Sequence, residues 1–385
     1  MAHPIIEVAE ALTPLIRELR VETEENRRLA DPIVEKLRSS GLTRMALAKE
    51  FDGLAVPPIE SLKVYELLAA AEPSVAWIVW NCSLVTLLSR HMSPRLREEI
   101  YSDNRHLFAQ STRPMGFAVD DGERFTVSGR WSLVSGCELA DWLFLTCQIK
   151  GKDGSLPGDG DMPQTMFIVV EKDDCKIVDT WTSGGLRGSG SHDVEVQDLQ
   201  VPSYRCFSFA DLHNINSSIA RLPTFCMLNA IFAAQVLGIA QHALDTVMEM
   251  GKTTITHGPM PDLRDRADAQ AGIAAHTYAL EAARNNVYLH IEQLWAHVDA
   301  GVETGVEEIS CVYGASMYAI KVARQAMDEM HALGGTRALY TSSPLERHHR
   351  DMHAMLRHIV AQQVWSEDTG RVLFGMEPVI PIYAL

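Results

Sequence analysis

Apolar residues recur every three or four positions from Ile5 to Asn26. Val8, Leu12, Ile16 and Leu19 carry the pattern, with acids between them, which predicts an amphipathic helix. Pro14 falls inside it, where a helix starts or kinks. The same period predicts helices over about Pro32–Ser39, ended by Gly41, and over Ser61–Ala71. Pro73-Ser74 then opens VAWIVWNCSLVTLL, too short to cross a bilayer and read as a buried helix. Ser93-Pro94 opens one more helix, reaching Tyr101.

Near residue 106 the pattern changes to alternation and turns. Phe108 to Gly129 alternates, with Asp120-Asp121-Gly122 as a hairpin turn. Short β-rich runs follow at Arg124–Val127, Gly129–Val134, Trp142–Ile149, Gln164–Val170, Lys176–Val178 and Asp193–Val201, with Gly151 to Gly160 as a flexible hairpin tip. They predict a small barrel or sandwich. From about Leu212 the helical period returns. Thr224 to Gly251 is apolar nearly all round, the mark of a central buried helix. A Gly/Pro-rich loop, THGPMPDLRDR, separates it from Asp265–Gly301; Glu307–Leu333 and Leu345 to about Phe374 complete an antiparallel four-helix bundle. The fold class is therefore α+β, mostly α: an N-terminal helical domain (1–105), a middle β domain (106–208) and a C-terminal bundle (209–385). A flat ligand would lie where the β domain meets the bundle.

Composition narrows the function. The net charge of −16 and the lack of a Lys/Arg-rich block argue against nucleic acid as a partner. No signal sequence opens the chain and no run of about 18 apolar residues suggests a membrane span. The seven cysteines are scattered with no CxxC pair, which suits reduced thiols in a cytoplasm and argues against a zinc knuckle.

Three stretches could carry chemistry. In Gly129–Gly136 (GRWSLVSG), alternation puts Trp131 on one face of a strand, and Ser135-Gly136 breaks the strand so that a hydroxyl and a backbone N–H can face a cleft. Gly184 to Asp193 (GGLRGSGSHD) is either a flexible loop or a set of N–H groups that meet an anion, with Arg187 supplying charge. It is not a dinucleotide fingerprint. Gly334–His358 closes one helix with Gly334-Gly335 and opens another, whose spacing places Arg347, Arg350, Asp351 and His358 on one broad face. His358 is either a satisfied core residue or a general base. His348, His349 and His353 are expected to face outward. The His348-His349 pair is not a metal motif, because adjacent helical residues diverge, and no metal is expected. No nucleophile elbow surrounds any serine.

In order along nearly the whole chain, these pieces resemble the acyl-CoA dehydrogenase superfamily. Glu72-Pro73-Ser74-Val-Ala-Trp77 is similar to its "DPSxAW" helix start, and Gly129–Gly136 to its "GxKxFxSG" strand. Gly185–Val194 with Val201-Pro202 is similar to "GMRGTGSxDVxxxxxxVP", and Ser343–Asp351 to "xxPxxRxxRD". Where the dehydrogenases carry "YEGT", whose glutamate is the base, this chain has Arg357-His358-Ile359-Val360. That resembles the oxygenase components of two-component flavin monooxygenases acting on hydroxyphenylacetate, secosteroids, dibenzothiophene and indoles. The resemblance implies reduced FAD or FMN (FADH2 or FMNH2), delivered by a separate NAD(P)H:flavin reductase. With O2 it forms a C4a-hydroperoxyflavin that hydroxylates a small aromatic substrate, usually in a homotetramer. It implies His358 and Ser135 as catalytic; Trp131, Ser135, Gly136, Arg187, Ser191, Gly334, Gly335 and Arg347 as flavin-binding; and Trp77, Asn81 and Val85 as substrate-binding. Val85 stands where many of these hydroxylases have a second histidine, so a substrate other than a simple phenol is expected. The alternative is an acyl-CoA dehydrogenase with tight FAD and Glu281 as base.

Overall fold

The computed structural model describes residues 3–159, 162–253 and 261–383. Its first part is helical: α1 (Pro4–Glu18), α2 (Arg20–Asn26), α3 (Asp31–Ser40), α4 (Pro58–Ala71), α5 (Pro73–Leu87) and α6 (Pro94–Ile100). The stripe from Ile5 to Asn26 is divided at Leu19, and Pro14 sits inside α1. Gly41, at φ 76°, closes α3 in the left-handed region open to glycine. Every residue of α5 is buried, which explains its unbroken apolar run.

The chain then forms β1 (Phe108–Asp120), β2 (Arg124–Val134), β3 (Trp142–Lys150), β4 (Gly158–Asp159), β5 (Met162–Pro163), β6 (Thr165–Glu171), β7 (Lys176–Val178), β8 (His192–Pro202) and β9 (Cys206–Phe207). Strands β4 and β5 pair alone; the predicted hairpin tip ends at Gly160, outside the described residues. The other seven make one mixed sheet, ordered β7-β8-β2-β1-β3-β6-β9, with β1 and β3 parallel. The sheet curls until β6 and β8 approach each other around a separate core that includes Val127, Trp131, Leu145, Ile168 and Val194. It is a barrel left open, since β7 and β9 are not paired with each other. Register shifts against β8 bend β2 at Val127–Gly129 and again at Trp131–Val134.

The last part is α7 (Thr224–Thr253), α8 (Ala267–Asp299), α9 (Val306–Leu333), α10 (Pro344–Met355) and α11 (Val364–Leu373). Much of the predicted loop before α8, residues 254–260, lies outside the described residues. Helix α7 is long and apolar enough to cross a membrane, but 94% of its most apolar window is buried inside the protein. It packs against α4, α8, α9 and α10.

One expected helix is two. The segment from Leu345 to Phe374 stops at Met355 and resumes at Val364, although it has no proline or glycine at the break. Side-chain donors take over the backbone acceptors a continuing helix would have used. Gln362 Nε2 donates to the carbonyls of Leu356 and His358, both at 3.2 Å, and Trp365 Nε1 donates to that of Ile359 at 2.9 Å. His358 therefore lies in a bend with extended backbone and not on the helical face of Arg347, Arg350 and Asp351.

Candidate active site

A cavity of about 370 Å³ opens where α5, the sheet and the C-terminal bend meet. Trp80, Asn81 and Leu84 come from α5, Gln110 and Thr146 from the sheet, and Phe225 and Leu228 from α7. His358, Ile359 and Val360 close it from the bend. Among the described residues, no Asp or Glu lines it. Its volume and aromatic walls suit a flat organic ligand.

The bend aims the His358 imidazole into an aromatic cage. Its ring meets Trp77 edge-on at 5.4 Å between centroids and Trp80 at 5.1 Å, and it stacks with Phe232 at 6.4 Å. The ring keeps a little surface toward the cavity, yet protein surrounds it closely. Burial first, and the positive charge of Arg113 second, push its pKa down to about 4. It is therefore neutral at pH 7. Its Nδ1 accepts the Val360 N–H at 3.3 Å, which places the ring's one proton on Nε2. His358 thus offers a hydrogen-bond donor and is a weak base.

Ser135 sits behind Trp77. Trp77 Nε1 donates to Ser135 Oγ at 3.0 Å. Ser135 Oγ lies 2.8 Å from Ser191 Oγ, and Ser191 Oγ lies 2.8 Å from Ser189 Oγ. Ser189 Oγ donates to the Leu186 carbonyl at 2.7 Å. An indole N–H can only donate and a carbonyl can only accept. With four protons for four contacts, one assignment satisfies all of them: Trp77 to Ser135, Ser135 to Ser191, Ser191 to Ser189, Ser189 to Leu186. The Ser135 proton is committed, so toward a ligand Ser135 has only a lone pair. Gly136 holds the turn at φ 75°, and its N–H donates to the Ser189 carbonyl at 2.8 Å. A Cβ there would stand 2.8 Å from Ile78 Cδ1, so the position needs glycine on two counts.

The remaining expected residues divide by place. Trp77 joins the Ser135 chain to the His358 cage. Asn81 lines the cavity and is paired with Gln110, whose Nε2 donates to Asn81 Oδ1 at 3.1 Å; Gln110 Oε1 is buried without a protein partner. Val85 does not line the cavity; Leu84, one residue earlier and turned by a helical step, does. Trp131 is not a cavity residue either. It is wholly buried in the sheet core against Gly116 and Gly129, where any Cβ would collide with its ring, and it donates to the Thr146 carbonyl at 2.7 Å. Leu133 is the exposed residue at that strand end, held at φ 61° by the bend in β2; only positive φ marks it, which sequence does not reveal.

The glycine-rich segment 184–190 is clamped to α10 and is not an open anion cradle. Asp351 Oδ1 accepts the Leu186 N–H at 2.7 Å, and Arg350 donates to the Gly184 carbonyl. A Cβ on Gly185 would lie 2.3 Å from the Arg350 carbonyl oxygen. Arg187 is taken up by the Ser183 carbonyl at 3.2 Å and by Glu24, 3.9 Å away. Arg347 is buried beside Glu24 at 2.8 Å and Glu72 at 3.7 Å. Burial pushes the carboxyls of Glu72 and Asp351 up. Neither arginine lines the cavity. Gly334 abuts Leu345, while Gly335 is exposed at φ 54°. His348 is buried, against expectation, and hydrogen-bonds His242 at 3.0 Å. Glu281 is exposed on α8, away from the cavity.

Residues 7–103 match the family model for the acyl-CoA dehydrogenase N-terminal domain, and residues 230–363 that for the acyl-CoA dehydrogenase C-terminal domain. Indole-3-acetate monooxygenase of Pseudomonas putida is 28% identical over 361 residues, 93% of this chain and 90% of its own. The flavin-dependent monooxygenase oxygenase subunit HsaA of Rhodococcus jostii is 27% identical over 360 residues, 90% and 91% of the two chains. Among solved structures, 3-HSA hydroxylase from Rhodococcus sp. RHA1 is 25% identical with a TM-score of 0.91, covering 99% of both chains. XiaF from Streptomyces sp., solved in complex with FADH2 and glycerol, shares the fold at a TM-score of 0.91 and 24% identity, over 98% of this chain and 96% of its own. The chain belongs to the acyl-CoA dehydrogenase superfamily, and its relatives there are oxygenase components of flavin-dependent monooxygenases.

Proposed function

We propose that this protein is the oxygenase component of a two-component monooxygenase that hydroxylates a small aromatic or heteroaromatic molecule. The cofactor is reduced FAD or FMN, and a separate NAD(P)H:flavin reductase supplies it. Bound reduced flavin supplies two electrons to O2; one oxygen atom enters the substrate and the other leaves as water. The observation that carries the reading is the cavity's chemistry: a neutral, caged His358 at its wall and, among the described residues, no carboxylate on its lining. A dehydrogenase needs a carboxylate there, and Glu281 is on the outer surface.

The residues suit a flavin. The cavity has aromatic walls. Ser135 is buried beside Trp77, off the cavity lining; where a flavin reaches it, it offers an acceptor to a ring N–H, which the reduced isoalloxazine has at its central nitrogen and the oxidised ring lacks. His358 donates a hydrogen bond from Nε2 to a developing oxyanion and, with the two tryptophans, keeps water out. Gln110 Oε1, lacking a protein partner, would accept from a substrate N–H or O–H. Gly136, Ser189 and Ser191 hold Ser135; Arg187, Arg347 and Arg350 hold the loop and α10 that frame the site. Exposed Gly335, Leu339 and Tyr340 would meet a neighbouring subunit in a homotetramer. Seven cysteines, all free, suit a reducing cytoplasm.

The test is anaerobic titration with oxidised and chemically reduced FMN and FAD, then turnover of an indole under oxygen. Preferential binding of the reduced form and oxygen-dependent hydroxylation are expected. A tightly bound oxidised flavin that an acyl-CoA bleaches without oxygen would overturn the proposal.

A further inference from the structure

Away from the cavity, α9 and α10 bring four chemically related side chains together. Asp328 and His331 are three residues apart on α9, and His349 and His353 are four apart on α10, so each pair shares a helix face. His353 Nε2 lies 2.7 Å from Asp328 Oδ1, and His349 Nε2 lies 3.4 Å from the same oxygen. One ligand atom from each of these three lies within 4.8 Å of the others. His331 stacks on His349, with 4.2 Å between ring centroids. The sequence neighbour His348 takes no part, since it turns inward to His242. The useful pairing is thus His349 with His353, one helical turn apart.

An ion-pair reading explains part of this group. Arg324 reaches Asp328 Oδ2 at 3.6 Å, and one protonated histidine could do the same. It does not explain two imidazoles aimed at one carboxylate oxygen with a third stacked behind. A neutral imidazole offers a lone pair to a metal. Two nitrogens and one carboxylate oxygen are the donor set of three-ligand zinc sites that keep a water in the fourth position. Tetrahedral bonds of about 2.0–2.1 Å set ligand atoms roughly 3.3–3.5 Å apart, so small side-chain rotations close the set.

We propose that Asp328, His349 and His353 form a binding site for a divalent transition-metal ion of the zinc class. The ion takes the place of the imidazole N–H groups that now face the carboxylate oxygen, each neutral ring carrying its proton on the other nitrogen once bound. It ties α10 to α9, and α10 runs directly into the bend that carries His358. The site is a clamp on the frame of the cavity and touches no reacting atom.

The experiment uses chelator-stripped full-length protein and zinc chloride or cobalt chloride alone. Calorimetric titration should show one zinc per chain with a Kd in the micromolar range or below, and zinc should raise Tm. Cobalt(II) should give the visible bands of a low-coordinate site. His349→Ala with His353→Ala should weaken binding more than about a hundredfold, more than an outer-shell change costs. Asp328→Asn, which keeps the shape of the side chain, should weaken it with the fold intact by circular dichroism. No zinc binding by the wild-type chain, or equal binding by the double variant, overturns the proposal. Neither result bears on flavin binding, so this site and the oxygenase reading fail separately.

Discussion

Burial sets the chemistry of His358. A histidine with a pKa near 4 keeps its Nε2 proton across the physiological range. Any step that depends on that donor should be flat from about pH 8 to about pH 5.5 and change only as Nδ1 takes a second proton, which keeps the Nε2 donor but breaks the Val360 N–H···Nδ1 bond that orients the ring. A profile of product formed per flavin oxidised checks this; an inflection near 6.5 would mean an ordinary, solvated ring. The Ser135 chain makes a second prediction. Ser189→Ala removes the acceptor at the far end, so Ser191 can turn its proton to Ser135, whose own proton is then free for an oxidised ring nitrogen. The preference for reduced over oxidised flavin should fall about tenfold, seen as a midpoint potential lowered by about 30 mV for the bound two-electron couple. An unchanged potential in a well-folded variant contradicts the polarity assigned to the chain. At this scale the sequence showed what motifs show. Ser135, Gly136 and His358 stand out as residue types in a pattern. The direction of four hydroxyl and indole protons depends on contacts 56 and 58 residues apart and is invisible without coordinates.

Among the elements, the decisive one is the bend between α10 and α11. Periodicity continues through it, so a helix is the natural reading of Leu345 to Phe374. The break is made by Gln362 reaching back six and four residues to backbone carbonyls. Gln362→Leu should hand those carbonyls to water, cost about 0.5–1.5 kcal/mol, and loosen His358. Urea unfolding measures the first effect; hydrogen peroxide released in place of product measures the second. Glycine at 185 is a packing requirement of the same element pair. Its φ is ordinary, but Gly185→Ala drives a methyl into the Arg350 backbone and should destabilise by about 1–3 kcal/mol. In the sequence the segment offered two readings, loop or anion cradle, because glycine serves close packing and ligand approach equally well. Helix lengths and strand runs were more legible, since a continuous buried face leaves a periodic trace over many residues. Trp131 shows the limit: alternation placed it on one face of a strand, and only the curl of the sheet makes that face the inside.

For the molecule as a whole, domain order follows from pattern alone, and assembly and acid response do not. His348 is buried and held well below its usual pKa. The unfolded chain would bind a proton there below about pH 6.5 while the folded chain does not, so this residue's share of stability is present above that pH and is lost as pH falls. Raised carboxyls at Glu72 and Asp351 act with the opposite sign. The clean comparison is therefore between chains: as pH falls below about 6.5, wild type should lose stability more steeply than His348→Gln. Parallel stability curves from denaturant titrations would count against it. The measurement closest to the central claim is the coupling of oxygen consumption to hydroxylated product, with chemically reduced flavin, in wild type and His358→Ala. The account predicts tight coupling in wild type and, in the variant, bound flavin whose oxidation yields hydrogen peroxide in place of product. Full coupling in the variant would contradict it.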